Sequence, residues 1–230
     1  MSLVVLVRHA HSSANGTGVL SGRNPGVHLS PDGRKQAQNL ASRLGAVSVK
    51  TLRVSPLERC QETIAPWLKR YGGLTALETD DGLIEMDYGT WSGRKLRALA
   101  KDPLWNKIQA QPSRVRFPQG ESIAGMQARA MGAIFRAVES PGKGPILVVS
   151  HGDIIKAIIA SSLGMHLDEF QRFVIDPASI SVLDFSQTKP RLLFMNDSQS
   201  RVVNVLTADH TRRKLVGGGS GIGASKKGSK

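Results

Sequence analysis

Four residues in this chain are placed where they could handle an anion. Arg8 and His9 end the apolar run at residues 3–7, and His151 follows a second apolar run at 145–150 within Ser150-His151-Gly152. Arg59 falls one turn into the segment after a short β-branched stretch at 51–54 that ends at Ser55. In open α/β sheets ligands bind beyond the carboxyl ends of the strands. If these three strands are neighbours, two arginines and two histidines meet at one sheet edge. Such a cluster repels itself without an anion. A phosphoryl group resolves the conflict, because guanidinium forks match phosphate oxygens.

The elements that must carry these residues follow from periodicity. Residues 3–7 (Leu-Val-Val-Leu-Val) read as a strand buried on both faces. A polar, Gly-rich stretch at 8–29 follows, and then Ser30-Pro31 supplies an N-cap with proline at the first helical position. That helix is expected to reach about Leu44, with Ala37, Leu40, Ala41 and Leu44 inward. A second strand is expected at 51–54. A helix at 56–71 should be kinked or shortened by Pro66. Residues 83–117 read as mostly loop, with one short helix around 93–100. A helix at 122–138 leads to a buried strand at 145–150. The next helix, at 152–163, ends with Gly164 at the C′ position. Two late strands, 179–185 and 191–195, alternate as an antiparallel pair. The strand–helix alternation predicts a three-layer α/β/α sandwich around a mostly parallel sheet.

With these blocks placed, a family pattern is visible. Arg8-His9-Ala10-His11-Ser12-Ser13-Ala14-Asn15 resembles the Arg-His-Gly-x-Ser-x-x-Asn signature of the histidine phosphatase superfamily, also called phosphoglycerate-mutase-like. The resemblance continues in order through Ser21-Gly22, Leu29-Ser30-Pro31-x-Gly33 and Ser55-x-Leu57-x-Arg59-x-x-x-Thr63. It extends through Leu83-x-Glu85-x-x-x-Gly89-x-Trp91-x-Gly93, Gly120-Glu121-Ser122 and Val149-Ser150-His151-Gly152. Ala10 departs from the pattern, standing where the family has glycine.

The resemblance implies a phosphomonoester hydrolase working through phosphohistidine on His9, with Glu85 as general acid and base. Arg8, Arg59 and His151 would be catalytic as well, cradling the phosphoryl oxygens. Ser12, Asn15, Ser21, Gly22 and Gly152 would complete the substrate site. It implies no cofactor and no metal. A cofactor-dependent phosphoglycerate mutase is the alternative. Glu85-Met-Asp-Tyr-Gly89 and Asp153 after Gly152 favour the phosphatase branch, since mutases of this family carry Glu-Arg-His-Tyr-Gly and Asn there. An acidic Asp153 would also disfavour a phosphoglycerate carboxylate.

Composition sets the remaining bounds. The formal net charge is +13 over 230 residues. Six of those positive charges lie beyond residue 210 with no acidic residue among them, so the body carries +7. Residues 1–210 read as one phosphatase domain and 211–230 as a flexible basic tail rich in Gly, Ser and Lys. The expected partner is a small phosphorylated metabolite. No membrane is expected, and no aromatic-interleaved basic patch points to nucleic acid. A lone Cys60 fits the cytoplasm. Residues 94–118, with Lys95, Arg97, Trp105, Lys107, Arg114 and Arg116, are expected to form a lid whose positive balance suits either a polyanionic substrate or surface solubility alone. Trp91 and Trp105 either wall the pocket or pack the core. A zinc site from His9, His11, His151 and Asp153 is a rival, opposed by the repulsion of Arg8 and Arg59 for a cation. A basic binding protein without turnover is another.

Overall fold

The computed structural model describes residues 2–207, the side chains of Asn204 and Thr207 excepted. The expected tail and its boundary at residue 210 lie outside the described residues. The first strand, β1 (Leu3–Arg8), forms at the apolar run, and its side chains alternate between two cores. Val4 and Leu6 face one side of the sheet, and Leu3, Val5 and Val7 the other. Such a strand buries both faces, so helices must cover the sheet on each side. They do so. On one face lie α2 (Pro31–Leu44) and α3 (Glu58–Tyr71), and on the other α6 (Ile123–Glu139) and α7 (Gly152–Ser162).

The sheet has six strands in the order β3-β2-β4-β1-β5-β6, with β2 at Thr51–Val54, β3 at Leu77–Thr79 and β4 at Ile146–Ser150. The last two, β5 (Ile180–Asp184) and β6 (Arg191–Asp197), pair antiparallel, and β5 also runs antiparallel to β1. The other three pairings are parallel. β4 therefore lies between β1 and β2, and the strand ends bearing His9, His151 and Ser55 share one edge. Backbone bonds fix their levels: His9 N–H donates to Ser150 O at 2.9 Å and Ser55 N–H to Val149 O at 2.9 Å.

Several elements differ from expectation. Pro66 does not shorten α3, which continues to Tyr71. Buried Ile64 and Trp67 anchor the helix on both sides of the proline, and Trp67 Nε1 donates to Gly45 O at 2.9 Å. The polar stretch after β1 contains the short helix α1 (Ser13–Thr17). In the segment read as mostly loop, α4 (Leu96–Leu99) falls at the expected short helix, and α5 (Pro103–Ala110) is a second helix that was not expected. Edge strand β3 was not expected either. The last element among the described residues is α8 (Val203–Thr207). Gly164 takes the expected left-handed conformation after α7, with φ +68°. Among the described residues no helix is long and apolar enough to cross a membrane.

Candidate active site

Beyond the carboxyl ends of β1 and β4 opens a cavity of about 430 Å³. His9, Arg8, Asn15, Ser21, Gly22, Glu85, Gly152 and Asp153 all stand on its wall. His9 is 4% exposed, and its Nδ1 lies 2.8 Å from the carbonyl oxygen of Ala10. A carbonyl only accepts, so Nδ1 carries the proton and Nε2 keeps its lone pair. Burial, then the charges of Arg59 and Arg8, hold the imidazole down to about 3 from 6.5. His9 is therefore neutral and held in one orientation at ordinary pH, the state that nucleophilic attack by an imidazole requires. The loop behind it is tied down: Ala10 N–H donates to Thr63 Oγ1 at 2.9 Å. Ala10 does not adopt positive φ and is fully buried beside Leu29, Ala37 and Ala178. The methyl group that replaces glycine is thus part of the packing.

Arg59 and His151 are enclosed just behind the wall, 1% and 0% exposed. Arg59 Nη2 donates to Gly22 O at 2.9 Å and to His151 Nδ1 at 3.3 Å. A guanidinium only donates, so the His151 proton sits on Nε2, which reaches Ser55 Oγ at 2.8 Å. The rings of His9 and His151 meet edge to face with centroids 5.2 Å apart. Burial, then Arg59 and His9, holds His151 well below its ordinary value. Arg8 donates through Nη1 to Ile175 O. Arg59 Nε and Nη1, and Arg8 Nε, are buried and have no protein partner among the described residues. Buried unsatisfied N–H groups on two guanidiniums are costly, and an anion relieves them.

Glu85 lies across the cavity, its side chain 13% exposed. Its Oε1 accepts from Met86 N–H at 2.9 Å, and its Oε2 is 3.6 Å from His151 Nδ1. That spacing is too long for a hydrogen bond. With His151 neutral it is not an ion pair either. Burial first, and the charge of Asp153 second, raise the Glu85 carboxyl from 4.5 to about 7. Asp153 itself accepts from Tyr88 OH at 3.1 Å and lies 3.6 Å from Lys156 Nζ. The main-chain carbonyl of Glu85 is clamped by Arg23 Nε at 2.9 Å and Arg129 Nη2 at 3.1 Å. Both arginines are gathered by Glu121. Sequence reasoning missed Arg23, Arg129 and Tyr88; the signal available was Glu121 inside the Gly120-Glu121-Ser122 block.

Ser12 is not on the cavity wall. Its Oγ caps α1, accepting from Asn15 N–H at 3.3 Å and donating to Asn15 Oδ1 at 2.9 Å. Asn15 stands on the cavity wall, and this reciprocal cap engages its Oδ1 and leaves the amide Nδ2 without a protein partner among the described residues. Gly152 opens α7 and packs flat against Arg8, where a Cβ would stand 3.4 Å from Arg8 Nε. Of the expected lid, only Leu96 reaches this cavity, and none of its lysines and arginines lines it. Lys95 instead donates to Thr17 O and Arg116 to Gly120 O, so the lid's charge does not select a polyanion at the wall. His11 Nδ1 is engaged by Ser30 Oγ at 2.9 Å. No group of three or more His, Cys, Asp or Glu among the described residues is arranged to hold a metal ion.

Comparison with known proteins agrees with this geometry. The family model of the Histidine phosphatase superfamily (branch 1) matches residues 4–198. The chain is 32% identical over 199 residues to Phosphoserine phosphatase 1 of Hydrogenobacter thermophilus, covering 85% of this chain and 92% of that protein. It is 31% identical over 205 residues to Adenosylcobalamin/alpha-ribazole phosphatase of Escherichia coli, covering 88% and 98%. The crystal structure of the alpha-ribazole phosphatase from Shigella flexneri superposes with a TM-score of 0.76 at 28% identity, covering 86% of this chain and 98% of that one.

Proposed function

The chain belongs to the histidine phosphatase superfamily, branch 1, and from that premise we propose that it hydrolyses small phosphomonoesters through a phosphohistidine on His9. One observation carries this reading above the rest. His9 is neutral, its Nδ1 is locked to Ala10 O, and among the described residues its Nε2 has no partner on a cavity wall backed by two guanidiniums with unpartnered N–H groups.

Nε2 attacks phosphorus as the P–O bond to the alcohol breaks, and charge on the transferring group is met by Arg8, Arg59, His151 and the Asn15 amide. Glu85, held near 7, delivers a proton to the departing oxygen. The resulting carboxylate takes a proton from water, which attacks phosphorus. The P–N bond breaks, releasing inorganic phosphate and neutral His9. Ser21, Gly22 and Gly152 shape the floor against which the phosphoryl group lies. No step calls on a metal or organic cofactor.

Water as acceptor is supported by Asp153. It lies on the cavity wall and opposes a carboxylate-bearing second substrate, although Lys156 softens its charge. The named relatives dephosphorylate small metabolites, which supports the same class here. The lone Cys60, buried and unpaired, supports a cytoplasmic site of action.

The test is a pair of variants. His9→Ala should lose turnover of p-nitrophenyl phosphate to the buffer background. Glu85→Ala should lower kcat/KM for alkyl phosphates by about 10²–10⁴-fold while largely sparing kcat/KM for p-nitrophenyl phosphate, whose leaving group needs no proton, and kcat should fall for every ester because hydrolysis of phosphohistidine loses its base. Retained activity in folded His9→Ala overturns the mechanism.

A further inference from the structure

A second hollow of about 200 Å³ adjoins the catalytic cavity. Leu20, Tyr88, Leu96, Asp153 and Gln171 line both, so the two spaces share a wall. The first cavity is polar around His9 and Arg8. The second is walled by Trp91, Trp105, Phe117, Ile108 and Met126. Its aromatic rings are set against one another. Trp91 and Trp105 lie nearly parallel at 18°, and Phe117 meets Tyr88 and Trp91 edge to face, with centroids at 5.0 and 5.4 Å. The chamber thus has walls of packed aromatic rings, a soft methionine, and five residues in common with the catalytic cavity.

We propose that this chamber is the specificity pocket for the alcohol half of the substrate, and that it takes one apolar, ring-sized group joined through a short spacer to the phosphoryl oxygen. The inference rests on the phosphatase reading of the adjoining cavity. Size supports it: an apolar cavity of roughly 150 Å³ is enough to bind benzene, so this one holds a single ring and not a fused, charged or extended group. Chemistry supports it too. The polar residues of the lining are Gln109, Asp153 and Gln171, and a phosphoserine-like or sugar-like group seated against Trp91, Phe117 and Met126 instead would leave its polar atoms unpaired, which is costly. The α5 residues Trp105 and Ile108 form the outer wall, so α5 sets the preference.

The substrates for the test are ethyl, 2-phenylethyl and 3-phenylpropyl phosphate, chosen because their leaving alcohols are alike in basicity, with O-phosphoserine as the polar comparison. On the unmodified protein, kcat/KM for the better phenylalkyl ester should exceed that for ethyl phosphate by about ten- to a hundredfold, as burial of a phenyl group implies. O-phosphoserine should not share the gain. Ile108→Trp, which fills the chamber, should bring the phenylalkyl-to-ethyl ratio towards one, and Trp105→Ala should lower it severalfold. Equal kcat/KM across the series, with turnover still abolished in His9→Ala, overturns the pocket and leaves the phosphatase standing. Turnover that survives His9→Ala overturns the underlying reading instead.

Discussion

Gly33→Ala sets two physical effects against each other. Gly33 lies within the first turn of α2, where its N–H donates to Ser30 Oγ at 3.0 Å and its φ is not positive. Helix propensity alone predicts that alanine stabilises by about 1 kcal/mol. Packing predicts the opposite. A Cβ at Gly33 would fall 1.9 Å from the carbonyl oxygen of His11, backbone of the loop that carries His9. Ordinary contact begins at 3.4 Å, so helix and loop must separate by about 1.5 Å. That same carbonyl accepts from Ser30 N–H at 3.0 Å, a bond worth about 1 kcal/mol that the movement strains. Overpacking adds about 1–3 kcal/mol, so the net effect is destabilising. A shift of about 1 Å in a catalytic group costs roughly 10²-fold in rate. The expected outcome is a kcat/KM for p-nitrophenyl phosphate lowered about 10²-fold, with Tm a few degrees down by scanning calorimetry. A Tm that rises, with activity within threefold of the unmodified protein, refutes the claim that α2 holds the nucleophile loop by direct contact.

Removing the charge beside the general acid tests its tuning. In Asp153→Asn the second-largest cause of Glu85's raised pKa disappears. In the proposed mechanism protonated Glu85 is the active form, so the alkaline limb of kcat/KM for an alkyl phosphate, near pH 7, should move to lower pH. The substrate's own ionisation is common to both proteins; an unmoved limb or one displaced upward contradicts the assignment. Arg59→Ala should lower kcat/KM at least about 10²-fold through lost transition-state stabilisation. Because Arg59 also depresses the His9 pKa, the acid limb should shift to higher pH in the same variant, and a fall in rate with no such shift counts against a direct electrostatic role.

How far the site was legible depended on how local its causes are. Arg8, His9 and His151 could be read because each ends an apolar run, and such a run names a buried strand. Their convergence required only that β4 lie between β1 and β2, which the parallel pairing provides. The Gly33 position was matched as a pattern, but its reason, a backbone contact with His11, is a tertiary fact no periodicity displays. The clamp of Arg23 and Arg129 on the Glu85 carbonyl joins three segments far apart in sequence, and a backbone acceptor leaves no mark on composition. β3 was missed because three residues at a sheet edge, all at least partly exposed, carry too little alternation to read. α5 begins with Asp102-Pro103, the same cap logic as Ser30-Pro31, yet eight residues with few buried positions give a weak helical stripe. With α5 overlooked, the charges around it drew attention instead of its apolar inner wall. The structure turns those charges away from the cavity and presents Trp105 and Ile108 to the chamber beside it.

The most direct measurement is capture of the phosphorylated enzyme. Rapid acid-free quenching during turnover, followed by trypsin cleavage after Arg8 and fragmentation of the peptide spanning residues 9–23, separates His9 from His11. One phosphoryl group on His9, labile to acid, stable to alkali and absent from His9→Ala, is the predicted result. A phosphoryl group on any other residue, or turnover with no phosphoenzyme at a quench time shorter than one catalytic cycle, would contradict it.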